Sequence, residues 1–276
     1  MRLQVIHTTR MTYSAVVAEE VMECRLGPLA DDDQRWERFE LRAQPGGHIR
    51  SYVDGFGNNV YLVTVVPTHE FLELTTRSEV ITQLDDPFAL PARLPRPLTP
   101  AERYDYLSPS RLVLNDPRLP ELASGHQSTA KSDPFAATLE LSSLIHRQFR
   151  FITDTTSTTT TVAEVLDVQA GVCQDFSHVL LGLCRTLGIP ARYVSGYVIR
   201  GEGENASAVS SHAWVEAYSP SHGWRGFDPT NNVVASEHHV KMAVGRDYAD
   251  VPPTRGTYRG GATADLAVDV TVRSIE

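Results

Sequence analysis

Three short blocks of this 276-residue sequence hold residue types that could act together in nucleophilic catalysis. Gly171-Val172-Cys173-Gln174-Asp175-Phe176 places a cysteine at what reads as the start of a helix. Ser211-His212-Ala213-Trp214-Val215-Glu216 supplies a histidine, and Gly226-Phe227-Asp228-Pro229-Thr230 an aspartate. Thiol, imidazole and carboxylate suit a nucleophile, the base that takes its proton and the group that orients the base. The chemistry they imply is acyl transfer through a thioester. A helix N-terminus carries partial positive charge and unpaired N–H groups, which favour a thiolate and let the Cys173 amide donate to a tetrahedral oxyanion. A lone cysteine is more commonly a buried structural residue. Cys184 reads that way, because it sits among leucines.

The elements around these residues support the grouping. Phe176, Val179, Leu180, Leu183, Cys184 and Leu187 fall on one helical face, Gly188 is the expected stop and Pro190 forbids continuation. His212, Trp214, Glu216 and Tyr218 share one face of a predicted strand, with Ala213, Val215 and Ala217 on the other. Ser219 to Gly223 reads as a turn, making His212–Tyr218 and Trp224–Asp228 a hairpin. Pairing Tyr218 with Trp224 puts Asp228 diagonal to His212; pairing Tyr218 with His222 puts it directly opposite. Either register leaves the two side chains on one face, with Cβ atoms roughly 5 to 8 Å apart. Other histidines compete poorly. His178 points about 140° around the helix from Cys173. His222 lies in the turn, and His238 and His239 have no metal-ligand spacing. Asp175 reads as favourable charge in the first helical turn. Gly201 to Ser210, small and polar, is expected to form a flap or a plain connector next to His212.

Net charge of −9 argues against nucleic acid or an anionic membrane surface as partner. No run of 18 apolar residues is present, so no spanning helix is expected. The N-terminus lacks the apolar core of a signal peptide, so a cytoplasmic location is expected. Cys24, Cys173 and Cys184 are too few, and odd in number, for a disulfide framework, and they suit a reducing compartment. Neither Cys-x-x-Cys nor His-Glu-x-x-His occurs, so no metal and no cofactor are expected.

The chain divides by pattern. Strands are expected at Arg2–Tyr13, Phe39–Ala43, Val60–Val66 and Phe71–Leu84, separated by Gly, Asn and Pro turns, as in a small antiparallel β-sandwich. Pro87, Pro91, Pro95, Pro97 and Pro100 mark an extended connector. The expected domains are therefore residues 1–95, β-rich and without chemistry, and 96–276, mixed α+β and catalytic. In the second, Ser132-Asp133-Pro134 begins a helix that runs to about Phe149, and Val162–Leu166 forms a short one. Strands are expected at Ala191–Arg200, His212–Tyr218, Trp224–Asp228 and Asp265–Arg273.

With these blocks in place the chain resembles the transglutaminase-like superfamily. The resemblance rests on the cysteine block with Gly188-Ile189-Pro190-Ala191-Arg192-Tyr193-Val194-Ser195-Gly196-Tyr197 behind it, on His212–Glu216, and on Gly223–Asn231. Ala243–Pro253 and the N-terminal strands resemble the bacterial branch in particular. The resemblance implies a papain-like α+β core, with Cys173 as nucleophile, His212 as base and acid, and Asp228 as orienting carboxylate. Animal members use a tryptophan as second oxyanion donor. No tryptophan lies between Trp36 and Cys173, and Gln169 is the substitute considered. Those enzymes need calcium, for which no ligand-loop pattern is present. The same residues serve hydrolysis or transamidation, depending on whether water or an amine attacks the thioester. Bacterial members are regarded as proteases or amidases. The expected enzyme is thus a cysteine hydrolase of a peptide or protein substrate, the alternatives being a transglutaminase or a non-catalytic peptide-binding module; oligomeric state is left open.

Overall fold

A computed structural model describes residues 1–199 and 211–275. The expected flap, Gly201–Ser210, lies outside the described residues. In the first strand, β1 (Arg2–Cys24), the odd residues Leu3, Val5, His7, Thr9, Met11 and Tyr13 are all buried. β2 (Gln34–Gln44) and β3 (His48–Val53) are largely exposed, β4 (Asn59–Val65) buries Val60, Val63 and Val65, and β5 (His69–Thr82) resumes the period-two pattern. The strands form one antiparallel sheet in which β2 pairs with β5, β5 and β4 pair with successive stretches of β1, and β3 pairs with β4. The sheet curls because β1 shifts register between Thr12 and Val17. Its first half pairs with β5 and its second with β4. Residues of both halves, among them Met11, Tyr13, Met22, Val63, Leu72 and Leu74, close over a shared core. At the bend the fully buried Glu20 accepts from the Tyr13 hydroxyl at 2.6 Å and meets His69 Nε2 at 2.8 Å.

The second half begins with α1 (Pro100–Leu107), α2 (Arg118–Leu122) and α3 (Gln127–Ser132), then α4 (Pro134–Gln148), which Asp133 caps by accepting from the Ala136 N–H at 3.1 Å. There follow β6 (Arg150–Phe151), α5 (Val162–Val168), β7 (Ala170–Gly171) and α6 (Cys173–Thr186). Next come β8 (Ala191–Val198), β9 (Ser211–Ser219), β10 (Gly223–Asp228), β11 (Val233–Val234) and β12 (His239–Gly245), forming a second antiparallel sheet with the order β11-β10-β9-β8-β12. One face of that sheet, with Ala213, Val215, Ala217 and Phe227, packs on α4, α5 and α6. The other carries Trp214 and Val194 against Leu29, and at the end of the sheet Tyr197 and Val240 meet Leu3 and Val5 of the N-terminal sheet.

The chain then returns. β13 (Thr254–Arg259) and β14 (Ala264–Ser274) both pair with β1, β14 over the whole stretch Leu3–Tyr13 and β13 over Ala18–Cys24. A division at 95/96 assigns these strands to the catalytic region, whereas their hydrogen bonds place them in the sheet of the first 82 residues. The physical reason is that β1 is a central strand. β5 and β4 satisfy only one of its two edges, and an open edge 23 residues long leaves a row of unpaired N–H and C=O groups.

The two sheets are also clamped by side chains. β12 is an edge strand, and side-chain amides stand where a neighbouring strand would pair. Gln34 donates to the carbonyls of Leu29 and Lys241 at 2.8 Å each and accepts from the Lys241 N–H at 2.8 Å. Asn58 makes the same double contact with Val244, at 2.8 and 2.7 Å. The proline-rich connector lies along the β9–β10 hairpin, where the Tyr218 hydroxyl donates to the Arg96 carbonyl at 2.9 Å. Among the described residues no helix is long and apolar enough to cross a membrane.

Candidate active site

Cys173 is the first residue of α6 and is partly exposed, whereas Cys24 and Cys184 are fully buried. The turn that delivers it depends on Gly171. A Cβ there would stand 2.4 Å from Oδ2 of Asp175. That carboxylate needs the space, because it reaches back to the Val172 N–H at 2.8 Å and accepts from the Thr156 hydroxyl at 2.6 Å. Asp175 is thus a buried brace for the cysteine turn as well as a charge near the helix start. Burial raises its carboxyl above the ordinary range.

The hairpin adopts the register that pairs Trp224 with Tyr218 and continues to Phe227 opposite Val215. In that register Asp228 is diagonal to His212, and Oδ2 lies 2.7 Å from His212 Nε2. The contact leaves Nδ1 free for the thiol of Cys173, which is close enough to act on the ring. Burial pulls the imidazole down, but its bonds to Asp228 and Cys173 and the charges on both raise it on balance from 6.5 to about 9.

Asp228 is fully buried and ringed by donors. Oδ1 accepts from the N–H groups of Thr230 and Asn231 at 2.9 and 3.1 Å, and the Asn231 side-chain amide donates to Oδ2 at 2.6 Å. Burial favours its neutral form, but His212 and the other donors outweigh it and hold the carboxyl well below the usual range. The sequence Asp-Pro-Thr-Asn is therefore an Asx turn that locks the carboxylate before His212 reaches it. That pattern is the signal by which Asn231 could have been found.

Trp214 forms the floor. Its ring stacks with His212 at 6.2 Å between centroids and meets His239 edge-on at 5.2 Å. Gly196, opposite His212 on β8, makes room: a Cβ there would lie 2.6 Å from the Trp214 ring. The remaining histidines stand apart. His178 is fully buried; it accepts from the Tyr248 N–H at 3.2 Å, and burial lowers it to about 4. His222 stacks on Phe135 in the turn, at 4.4 Å. Gln169 is an exposed cap of α5 with φ of 49°, and among the described residues no hydrogen bond joins its side chain to Cys173. No group of three or more His, Cys, Asp or Glu among the described residues is placed to hold a metal ion. Cys184 lies in the core beside the Thr138 hydroxyl at 3.9 Å, and burial pushes its thiol up to about 12.

The site brings a thiol, an imidazole and a carboxylate together where the start of β9 and the end of β10, two inner strands of the sheet, meet the cysteine helix. A family model described as the transglutaminase-like superfamily matches residues 123–229, which include all three. One described as the bacterial transglutaminase-like N-terminal region matches residues 3–81. An uncharacterized protein of Mycobacterium leprae (strain TN) is 30% identical over 279 residues, covering 98% of each chain. A protein-glutamine gamma-glutamyltransferase of Pseudomonas aeruginosa is 32% identical over 108 residues, which is 35% of this chain and 16% of that protein. The crystal structure of a "Putative Cysteine Protease from Cytophaga hutchinsonii" superposes with a TM-score of 0.75 over 100% of this chain and 92% of its own, at 23% identity, a likeness of fold. The chain belongs to the transglutaminase-like superfamily, with the bacterial N-terminal region in front of its core.

Proposed function

We propose that this protein is a cysteine-dependent acyl-transfer enzyme that acts on peptide or glutamine-type amide bonds of a peptide or protein substrate. The observation that carries the reading is the His212–Asp228 contact of 2.7 Å beside a cysteine at the first position of a helix. The Cys173 thiolate attacks the amide carbonyl. The Cys173 N–H, a first-turn amide without an intrahelical acceptor, donates to the oxyanion. The His212 imidazolium gives its proton to the leaving amine as the tetrahedral intermediate collapses to the thioester. In the second half His212 takes a proton from the incoming nucleophile, and thiolate and imidazolium are restored.

Water as that nucleophile makes the enzyme a protease, amidase or deamidase, and this is the lead reading. An amine makes it a transamidase; the similarity of part of the core to a protein-glutamine gamma-glutamyltransferase favours that second reading. Three free thiols suit a reducing compartment, which supports a cytoplasmic location. Mass spectrometry of a peptide mixture incubated with the protein, with and without a primary amine, separates cleavage, deamidation and cross-linking. No product that requires Cys173 in any of these reactions would overturn the enzymatic reading in favour of a binding module.

A further inference from the structure

Asp228 faces a second imidazole. His239 opens β12 beneath the site, buried against the Trp214 edge, with Nε2 at 3.6 Å from Oδ2 of Asp228. That is beyond a normal hydrogen bond, and Nε2 has no other partner among the described residues. On the far side of the ring the Ser236 backbone N–H donates to Nδ1 at 3.3 Å. An accepting Nδ1 fixes the tautomer with its proton on Nε2. Protonating Nδ1 as well would set two N–H groups against each other, so the ring stays neutral. Burial acts in the same direction, holding it below the ordinary histidine range.

The other charges near the ring are answered elsewhere. Glu216, Lys241 and Asp33 share with His239 a small cavity of about 20 Å³. Glu216 and Lys241 pair with each other at 3.0 Å, and Asp33 lies 3.8 Å from Arg225. His238 precedes it in the chain, and its Nδ1 lies 3.4 Å from the Ser236 hydroxyl. Asp228 itself meets His212, Asn231 and the Thr230 amide. Among the described residues, the Asp228 carboxylate is therefore the acceptor left for the Nε2–H of His239.

We propose that His239 is a positioning residue of the site: its neutral Nε2–H, 3.6 Å from Oδ2 of Asp228, competes electrostatically with His212 for that carboxylate and limits how tightly it holds the His212 imidazolium. The inference rests on Cys173, His212 and Asp228 working as one unit. It matters because His212 must release its proton to the leaving amine, and a grip that is too strong makes it a poor acid. Removing a donor from a carboxylate strengthens its remaining bonds, so loss of the His239 N–H raises the pH at which His212 titrates.

The test is an NMR titration of the His212 imidazole in the full-length protein carrying Cys173→Ser, which needs no turnover. His239→Phe keeps an aromatic edge on Trp214 and removes the donor; His239→Gln restores an N–H. The Phe change should move the His212 midpoint up by about 0.5 pH unit or more, and the Gln change should return it most of the way. A midpoint that stays put or falls in the Phe variant, or equal shifts in both variants, overturns the proposal. Should the Phe variant not fold, His239→Leu lacks the donor equally and takes its place. Failure of Cys173 to react in the otherwise native protein would instead overturn the enzymatic reading, and the titration distinguishes the two.

Discussion

Replacing Asp228 by asparagine tests the site most directly. The two backbone N–H groups of Thr230 and Asn231 hold Oδ1 in place, so the new amide nitrogen must occupy the position of Oδ2. There it confronts the Asn231 amide, which donates across 2.6 Å, and His212 Nε2 at 2.7 Å. The imidazole can meet an N–H only by giving up its own Nε2 proton, which moves the ring proton to Nδ1, the nitrogen facing Cys173. In that tautomer His212 cannot accept the thiol proton. The rate should fall by about 10²- to 10⁴-fold, as expected for a misdirected imidazole. Stability should change with a definite pH signature. His212 rises from 6.5 to about 9 in the folded chain. At about 1.36 kcal/mol per pH unit, that rise corresponds to roughly 3 kcal/mol favouring the folded imidazolium. A raised value means that this contribution is complete below about pH 6.5 and disappears as pH rises through 9. The depressed Asp228 carboxyl reports the same ion pair from its other side and adds nothing further. Urea unfolding of the wild type between pH 6 and 10 should show the loss, and Asp228→Asn should be nearly flat over that interval. A variant that keeps the wild-type slope, or that retains activity within tenfold, refutes the assignment of His212 and Asp228 as a pair.

Iodoacetamide should modify Cys173 in the native protein long before Cys24 or Cys184, which are buried with thiols pushed up to about 12; peptide mapping reads the order, and prior labelling of Cys184 would contradict it. Gly171→Ala should lose most activity and about 1–3 kcal/mol of stability, because the Asp175 brace must move; thermal melts with alkylation rates measure both. Deleting residues 254–275 should yield an aggregating protein despite an intact set of Cys173, His212 and Asp228, because one edge of β1 is left open; size-exclusion chromatography reports it, and a soluble monomer would count against the central role of β1.

The sequence made the chemistry legible where the signal is local. The helix of Cys173 announces itself by apolar spacing and by Gly188 and Pro190. The hairpin follows from its turn, although only the structure selects the Tyr218–Trp224 register over the Tyr218–His222 one. Elements decided by remote partners were less visible. β12 is buried on every residue, so it lacks the alternation that marks a half-exposed strand. Asp265–Arg273 alternates and was legible as a strand, but nothing in its pattern names β1, some 250 residues away, as the partner. His239 has no motif at all: its relation to Asp228 exists only because β12 and β10 lie on either side of Trp214.

The pairing of β14 with β1 has a consequence for synthesis. Leu3 finds its neighbour at Ser274. At a translation rate of roughly 5–20 residues per second, the first strand leaves the ribosome about 10 to 50 seconds before the strand that covers it. During that interval the nascent chain carries a long unpaired edge, which pairs readily with any other extended segment. Closure of β1 waits on β14, so the N-terminal sheet is completed only after the whole core between them has been made, rather than domain by domain, and the supply of holding chaperones during that wait governs how much of the protein survives to fold.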